Sequence, residues 1–242
     1  MNLCIIVPCF NEAKRIPLND FGIFLSNFSK VTLHFVNDGS TDATNEILHS
    51  FQKKHHRQVK IIKITQNLGK GNAVFFGMSK ALENKDFDTL AFLDADLSTS
   101  PEECFHLAKK INQSIKFVFG SRIKKIDNSI ERKFFRFIIG RIIATAISKI
   151  LNISVYDTQC GCKIFSRTAA KVAFENSFIS DWLFDVEIFF RLKNYFGVSD
   201  FIAMSSEIPL KKWKDRGNSK IAWTYGFKMW IDLIKIRYTY KS

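Results

Sequence analysis

The sequence predicts an α/β domain built on a mainly parallel sheet, with helices on both faces. Three observations carry that expectation. Short apolar runs of strand length alternate with segments of helical spacing. Several of those runs end in loops rich in Asp, Asn and Gly. The length, 242 residues with 46% hydrophobic, suits a single core of ordinary size.

The elements follow in order. Leu3–Val7 reads as a strand and leads through a polar loop into a helical segment ending near Phe28. Thr32–Val36 is the next strand, followed by NDGSTD and a helix to about Lys54. Val59–Ile64 is the third, after which NLGKGN opens a helix to about Leu82. Leu90–Leu93 is the fourth and ends in DAD. Pro101 marks a helix start, where its missing N–H costs nothing. Phe117–Phe119 is the fifth strand. In such sheets ligands lie beyond the carboxyl ends of the strands, so the loops at Asn11, Asp38 and Asp94 are expected to converge on one cleft. The second half is less regular. Between Arg132 and Leu151 the polar residues change sides near Gly140, which reads as two short helices or one broken one. From Trp223 to Tyr238, Thr224, Lys228, Asp232 and Lys235 form a polar stripe, and Trp230, Leu233, Ile234 and Ile236 cover the rest.

Composition narrows the partners. The net charge of +13 favours an anionic partner. Much of it lies between Arg122 and Lys149 and between Lys211 and Lys241, among aromatic and aliphatic residues. That interleaving suits a membrane surface and not a nucleic-acid groove. The 25 phenylalanines exceed what one core needs and point to extra apolar surface. The five cysteines, Cys4, Cys9, Cys104, Cys160 and Cys162, include no CxxC pair, so neither a disulfide framework nor a zinc site is expected. LCIIVP is too short for a secretory leader, and Phe134–Val155 is interrupted by Arg136, Arg141 and Lys149. The expectation is a cytoplasmic protein, peripheral on the cytoplasmic face of a membrane.

Chemistry concentrates in the loops. Asp94-Ala95-Asp96 places two carboxylates just beyond a buried strand, where they repel unless a cation lies between them. Oxygen ligands favour Mg²⁺ or Mn²⁺, either of which also bridges a diphosphate. The bland alternative is an acidic loop before the helix at Pro101. Asp38 is placed to accept hydrogen bonds from a nucleobase or ribose, with Gly39 permitting a tight turn and Ser40 or Thr41 capping the next helix. Lys70, between two glycines at a helix start, suits phosphate, although the loop is not a Walker sequence. Asp185 and Glu187 do not share a helix face; Asp185 is taken as the inward one, able to meet sugar hydroxyls, with Glu187 as a surface or capping carboxylate.

PCFNE, VNDGSTD, NLGKGNA, FLDADLS and GSR occur here in the order and spacing of the inverting family 2 glycosyltransferases, which the chain resembles. Asp157–Phe165 (DTQCGCKIF), Trp182–Glu187 (WLFDVE), Trp213 and Ser219-Lys220 narrow the resemblance to the dolichyl-phosphate β-glucosyltransferases and bacterial polyprenyl-phosphate relatives. It runs from Leu3 to about Tyr238. It implies a GT-A domain, Rossmann-like and nucleotide-sugar-binding, over residues 1–242. Residues 1–125 would form the donor half, and 126–242 an acceptor half with interfacial helices.

By this resemblance the nucleotide pocket falls on Pro8, Phe10, Glu12, Val36 and Asp38, and the metal site on Asp94 and Asp96; Asn11 and Ala95, beside them, are further substrate-binding candidates. A phosphate-binding arginine falls on Arg122, a substrate contact on Gln159, and the late basic residue on Lys220 beside Ser219. Three departures stand out. Asn37 replaces the first of two usual aspartates, Cys162 replaces a bulkier residue before Lys163, and the arginine of mannose-transferring relatives becomes Lys214, with Arg216 two positions on as the alternative. The implied reaction moves a hexose, glucose from UDP-glucose above all, to a polyprenyl or dolichyl phosphate with inversion. Arg122 and one of Arg132, Lys133 or Arg136 would hold the lipid phosphate, because arginine grips phosphate with two parallel hydrogen bonds. One rival is a transferase of the same fold acting on a polysaccharide or soluble hydroxyl, with Asp185 as base. Another is a non-catalytic module that binds nucleotide-sugar or membrane.

Overall fold

A computed structural model describes residues 1–131, 134–215 and 225–240, without the side chains of 134–136 and 225–227. Strands β1 (Leu3–Cys9), β2 (Val31–Asp38), β3 (Val59–Ile64) and β4 (Thr89–Leu93) alternate with helices α1 (Leu18–Asn27), α2 (Thr44–Lys54) and α3 (Lys70–Glu83). Helix α4 (Pro101–Ala108) leads to β5 (Phe117–Ser121), then β6 (Ser129–Glu131) and α5 (Phe134–Leu151). The chain continues through β7 (Cys162–Ser166), α6 (Arg167–Ala173), α7 (Phe184–Phe196), α8 (Val198–Met204), β8 (Ser205–Pro209), β9 (Lys212–Lys214) and α9 (Tyr225–Tyr240).

The seven-stranded sheet has the order β3-β2-β1-β4-β7-β5-β8, and β6 pairs with β9 apart from it. All of its pairings are parallel except those of β7, which runs antiparallel between β4 and β5 with Cys162 opposite Leu93 and Lys163 opposite Phe119. This reversal matters for the site. A strand entering against its neighbours begins at their carboxyl ends, so the loop before β7 arrives beside the end of β4.

Each face of the sheet buries its own layer. On one, Phe92, Phe117, Phe119 and Phe165 meet Phe184 and Phe189 of α7, with α3 and α6 alongside. The Phe117 and Phe165 rings stack at 5.0 Å, and Phe189 meets Phe119 edge-on at 5.0 Å. On the other, Ile5, Leu33, Phe35 and Ile164 pack against Phe21 and Phe24 of α1, Leu48 and Phe51 of α2 and Leu107 of α4. The phenylalanines therefore fill two cores, one per face. Among the described residues only Phe76 and Phe137 are exposed, and the surplus apolar surface is mainly isoleucine. Fifteen buried rings fit because two layers, not one, receive them.

Three expectations change. Phe134–Leu151 is a single unbroken helix of 18 residues. Gly140 has open space at its Cβ position, so the change of polar side is not accompanied by a packing break there. On α9 the stripe is turned: Asp232 is buried and accepts from Ser180 Oγ at 2.9 Å, while Trp230, Ile231 and Ile234 face out. A hydrogen-bonded partner outweighs the cost of burying that carboxylate. Finally, Glu187 is wholly buried instead of lying at the surface, because it receives the Ile179 and Ser180 N–H groups and the Tyr240 hydroxyl.

Candidate active site

The carboxyl ends of β1, β2 and β4 bring the Asn11, Asp38 and Asp94 loops to the same edge of the sheet. The first two loops are laced by side chain to backbone. Asn11 has φ 51°, and its amide oxygen accepts from Thr41 N–H at 2.9 Å. Its own N–H donates to Ser40 Oγ at 3.0 Å. Glu12 N–H donates to Thr44 Oγ1 at 2.8 Å, and Glu12 pairs with Arg15. Asp38 is buried and accepts from Leu68 N–H at 2.9 Å and Gly69 N–H at 3.0 Å. Burial pushes its carboxyl above the usual range; the two N–H groups work the other way and nearby Asp181 adds to the rise. Asp38 thus positions the loop that precedes Lys70. Gly69 takes φ 88° there, and a Cβ on it would strike Asp181. Asp181 also accepts from Asn72 Nδ2 at 2.6 Å, and its carbonyl from Gly71 N–H at 3.0 Å.

Lys70 reaches Asp94, Nζ to Oδ1 at 2.5 Å. Burial opposes its charge, but Asp94, with Asp185 and Asp96, raises its pKa above the ordinary lysine value. Asp94 N–H donates to Gly161 O at 3.1 Å across the start of β7. A Cβ on Gly161 would overlap Asp94 Oδ2, so any side chain there would displace that carboxylate. Asp96 Oδ1 accepts from Ser98 N–H at 2.9 Å, in a turn where Leu97 has φ 51°.

Arg122, just after β5, grips Asp157 twice, Nε to Oδ2 at 2.6 Å and Nη2 to Oδ1 at 2.8 Å. Its guanidinium lies 5.3 Å from the Trp213 ring centroid. Burial opposes the charge, yet Asp157 holds Arg122 above even the usual arginine value. Asp157 is itself set by Glu207, which accepts from Tyr156 N–H at 2.9 Å and Asp157 N–H at 2.8 Å. Gln159 donates its N–H to Asp157 Oδ1 at 3.1 Å, and its buried Nε2 has no partner among the described residues. Below it, Asp185 is buried and accepts from Lys163 Nζ at 2.5 Å. Burial raises the Asp185 pKa, while Lys163 and Lys70 pull it back.

The residues singled out in the sequence divide accordingly. Asn11, Asp38, Lys70, Asp94, Asp96, Arg122, Gln159 and Asp185 belong to this network of loops. Pro8 and Phe10 are half-buried at the end of β1. Val36 and Ala95 are buried in the core, with Val36 turned toward Gly77 of α3. Arg132, Lys133, Arg216, Ser219 and Lys220 lie outside the described residues, as does the Arg136 side chain. Sequence reasoning quoted Asp157, Gly161 and Lys163 within the DTQCGCKIF motif but gave them no role, and it missed Asp181 and Glu207. Lys163 left a further signal, as a lone charge inside the apolar run CKIF.

Residues 4–174 match the family described as Glycosyl transferase family 2. The chain belongs to that family. Among its relatives, the dolichyl-phosphate beta-glucosyltransferase of Drosophila melanogaster is 33% identical over 210 residues, covering 80% of this chain and 63% of that protein. The chain thus spans just under two thirds of the fly protein. The Dictyostelium discoideum protein of the same name is 29% identical over 98% of this chain and 74% of its own length. Among solved structures, glucosyl-3-phosphoglycerate synthase from Mycobacterium tuberculosis superposes with a TM-score of 0.68 at 15% identity, over 99% of this chain and 78% of that one. That structure holds Mn²⁺, UDP and phosphoglyceric acid. At this identity the likeness shows the fold, a GT-A-like α/β domain. Among the described residues, no helix is long and apolar enough to cross a membrane.

Proposed function

We propose that this chain transfers glucose, with inversion, from UDP-glucose to a polyprenyl or dolichyl phosphate while lying on the cytoplasmic face of a membrane. The observation that carries the proposal is the meeting, at one sheet edge, of Asp94 and Lys70 with Gly161 of the DTQCGCKIF motif. Relatives named for this reaction are 33% identical over 80% of this chain and 29% identical over 98% of it.

Asp94 and Asp96 suit Mg²⁺ or Mn²⁺. Among the described residues they are not joined by a third ligating side chain, and Mg²⁺ commonly takes one or two carboxylates, with substrate phosphates and water completing its shell. Gly161 leaves room for the Asp94 carboxylate and nothing larger behind it. When bound, such a cation supplies Lewis-acid stabilisation of the leaving diphosphate. Lys70 adds a positive charge at the start of α3, where the helix N-terminus also favours phosphate. Pro8, Phe10, Asn11, Glu12, Val36 and Asp38 form or brace the nucleotide end, and Gln159 offers its amide to the sugar. Arg122 keeps guanidinium donors beyond the two given to Asp157, and these suit an acceptor phosphate. The basic stretch at Arg132 and Arg136 and the late group at Arg216, Ser219 and Lys220 extend the same role.

A phosphate with a second pKa near 6 is largely a dianion at neutral pH, so it needs orientation more than a base. The commitment of Asp185 to Lys163 agrees with that and speaks against a hydroxyl acceptor, for which Asp185 would have to take a proton. Exposed Ile138, Ile139 and Ile142 on α5 and Trp230, Ile231 and Ile234 on α9, with Lys149, Lys228 and Lys235, support contact with an anionic membrane surface.

The test is to incubate the protein with UDP-glucose or GDP-mannose, Mn²⁺ and a polyprenyl phosphate, and to follow glycolipid across pH. Glucolipid should form, at a rate that rises through about pH 6 and then levels. Asp185→Asn should lower the rate and keep that profile. No lipid product, or a profile abolished in Asp185→Asn with UDP binding intact, overturns the reading.

A further inference from the structure

Lys163 stands where β7 has every reason to carry an apolar side chain. It shares a face with Phe165, lies opposite Phe92 and Phe119 in register, and its Nζ is 5.3 Å from the Phe92 ring centroid. The residue is wholly buried. An ammonium in such a layer persists only when its hydrogens are taken up, and a well-packed apolar pair usually serves stability as well as a buried ion pair does. Stability alone is therefore a poor account of it.

Its two partners supply a better one. Nζ donates to Cys160 O at 2.7 Å and to Asp185 Oδ1 at 2.5 Å. The first partner fixes the turn whose next residue, Gly161, backs the Asp94 carboxylate and accepts the Asp94 N–H at 3.1 Å. The second, Asp185, acts electrostatically on Lys70, which pairs with Asp94 at 2.5 Å. Both routes from one buried amine end at the same carboxylate, one through backbone and one through an alternating row of charges.

We propose that Lys163 is a positioning residue for the diphosphate end of the donor site, setting Asp94 through the Cys160–Gly161 turn and Lys70 through Asp185. The inference rests on the nucleotide-sugar part of the proposed function and is independent of the acceptor.

The experiment measures UDP affinity with Mn²⁺ by calorimetry, a readout that needs neither sugar nor acceptor. Lys70→Met is made in two backgrounds: the parent and the neutral pair Lys163→Met with Asp185→Leu. In the parent, Lys70→Met should weaken UDP binding about tenfold, in line with the loss of one charge-assisted phosphate contact. The neutral pair should melt near the parental temperature yet bind UDP about tenfold more weakly. In that background Lys70→Met should cost no more than about twofold, because residues in one network do not add. If the neutral pair fails to fold, Asp185→Asn replaces it as the background, since it keeps an acceptor for Lys163 and cuts the charge link to Lys70. An equal cost of Lys70→Met in both backgrounds, or parental UDP binding by the folded neutral pair, overturns the proposal. A parent that binds no UDP removes the donor reading and this inference together. A parent that binds UDP but makes no glucolipid removes only the acceptor, and the comparison of backgrounds still decides the role of Lys163.

Discussion

The two halves of the site are built by different means. Before α4, each loop is tied by short polar side chains to backbone: Asn11 to Thr41, Asp38 to Leu68 and Gly69, Asp96 to Ser98. After β5, the parts are held by charges: Arg122 with Asp157, Lys163 with Asp185, Glu207 on the N–H groups of a distant loop, and Glu187 on those of the segment just before its own helix. The reason is topological. Parallel strands deliver the loops that follow them to one edge by construction, whereas the loop before the antiparallel β7 is held there by tertiary contacts. Asp94 lies on the seam, touched by Lys70 from one half and Gly161 from the other.

Four changes break or sharpen this contrast. The largest effect belongs to Asp96→Ala, which removes one of the two oxygen ligands proposed for the cation. Losing several kcal/mol of charge stabilisation corresponds to about a thousandfold fall in transfer. Glucolipid formation and Mn²⁺ binding both report it, and full activity would remove metal assistance from the proposal. Gly161→Ala strikes the seam. The new Cβ would overlap Asp94 Oδ2, so the carboxylate must move, and a displacement of about 1 Å in a reacting site costs on the order of a hundredfold. Circular dichroism should show the fold retained, and unchanged turnover would separate the two halves.

The third concerns the core around β2. His34 is buried, has no hydrogen-bond partner for either ring nitrogen among the described residues, and has its pKa pushed down to about 4. Burial is the main cause, and Lys60 adds to it. Since the folded value lies below the unfolded one of about 6.5, the stability it allows is whole above pH 6.5 and is lost as pH falls toward 4. The loss should reach about 3 kcal/mol, from some 2.5 pKa units at 1.36 kcal/mol each. His34→Leu should flatten the denaturation midpoint over that range; an unchanged slope would mean that other groups govern acid sensitivity. The smallest effect is on membrane contact. Ile142→Ser with Ile234→Ser removes exposed apolar groups from α5 and α9, and vesicle flotation should fall about tenfold, less than full burial of two isoleucines would give. Salt should weaken what remains, because each nearby basic residue contributes about 1 kcal/mol.

How much was legible from sequence follows the same divide. Asn11, Asp38, Asp94 and Asp96 are readable because each sits just past an apolar run of strand length, where the fold class alone places it at the ligand edge. Lys70 is readable because glycines bracket it at a helix start. Asp157 is 35 residues from Arg122, and Asp185 is 22 from Lys163, so no local pattern joins either pair. Composition misled in a related way. Many phenylalanines signal apolar surface, but not whether two layers or a membrane receive it.

The sequence by itself determined the α/β class, the carboxyl-edge position of the DAD loop and its membership among family 2 motifs. These depend on period, spacing and residue type, which are local properties of the chain. Only the tertiary structure decided that β7 runs backwards between β4 and β5, that α5 is unbroken, that Asp232 and Glu187 turn inward, and that Lys163 stands behind Asp94. Those depend on which distant groups can satisfy a buried charge, and burial is a property of the folded whole.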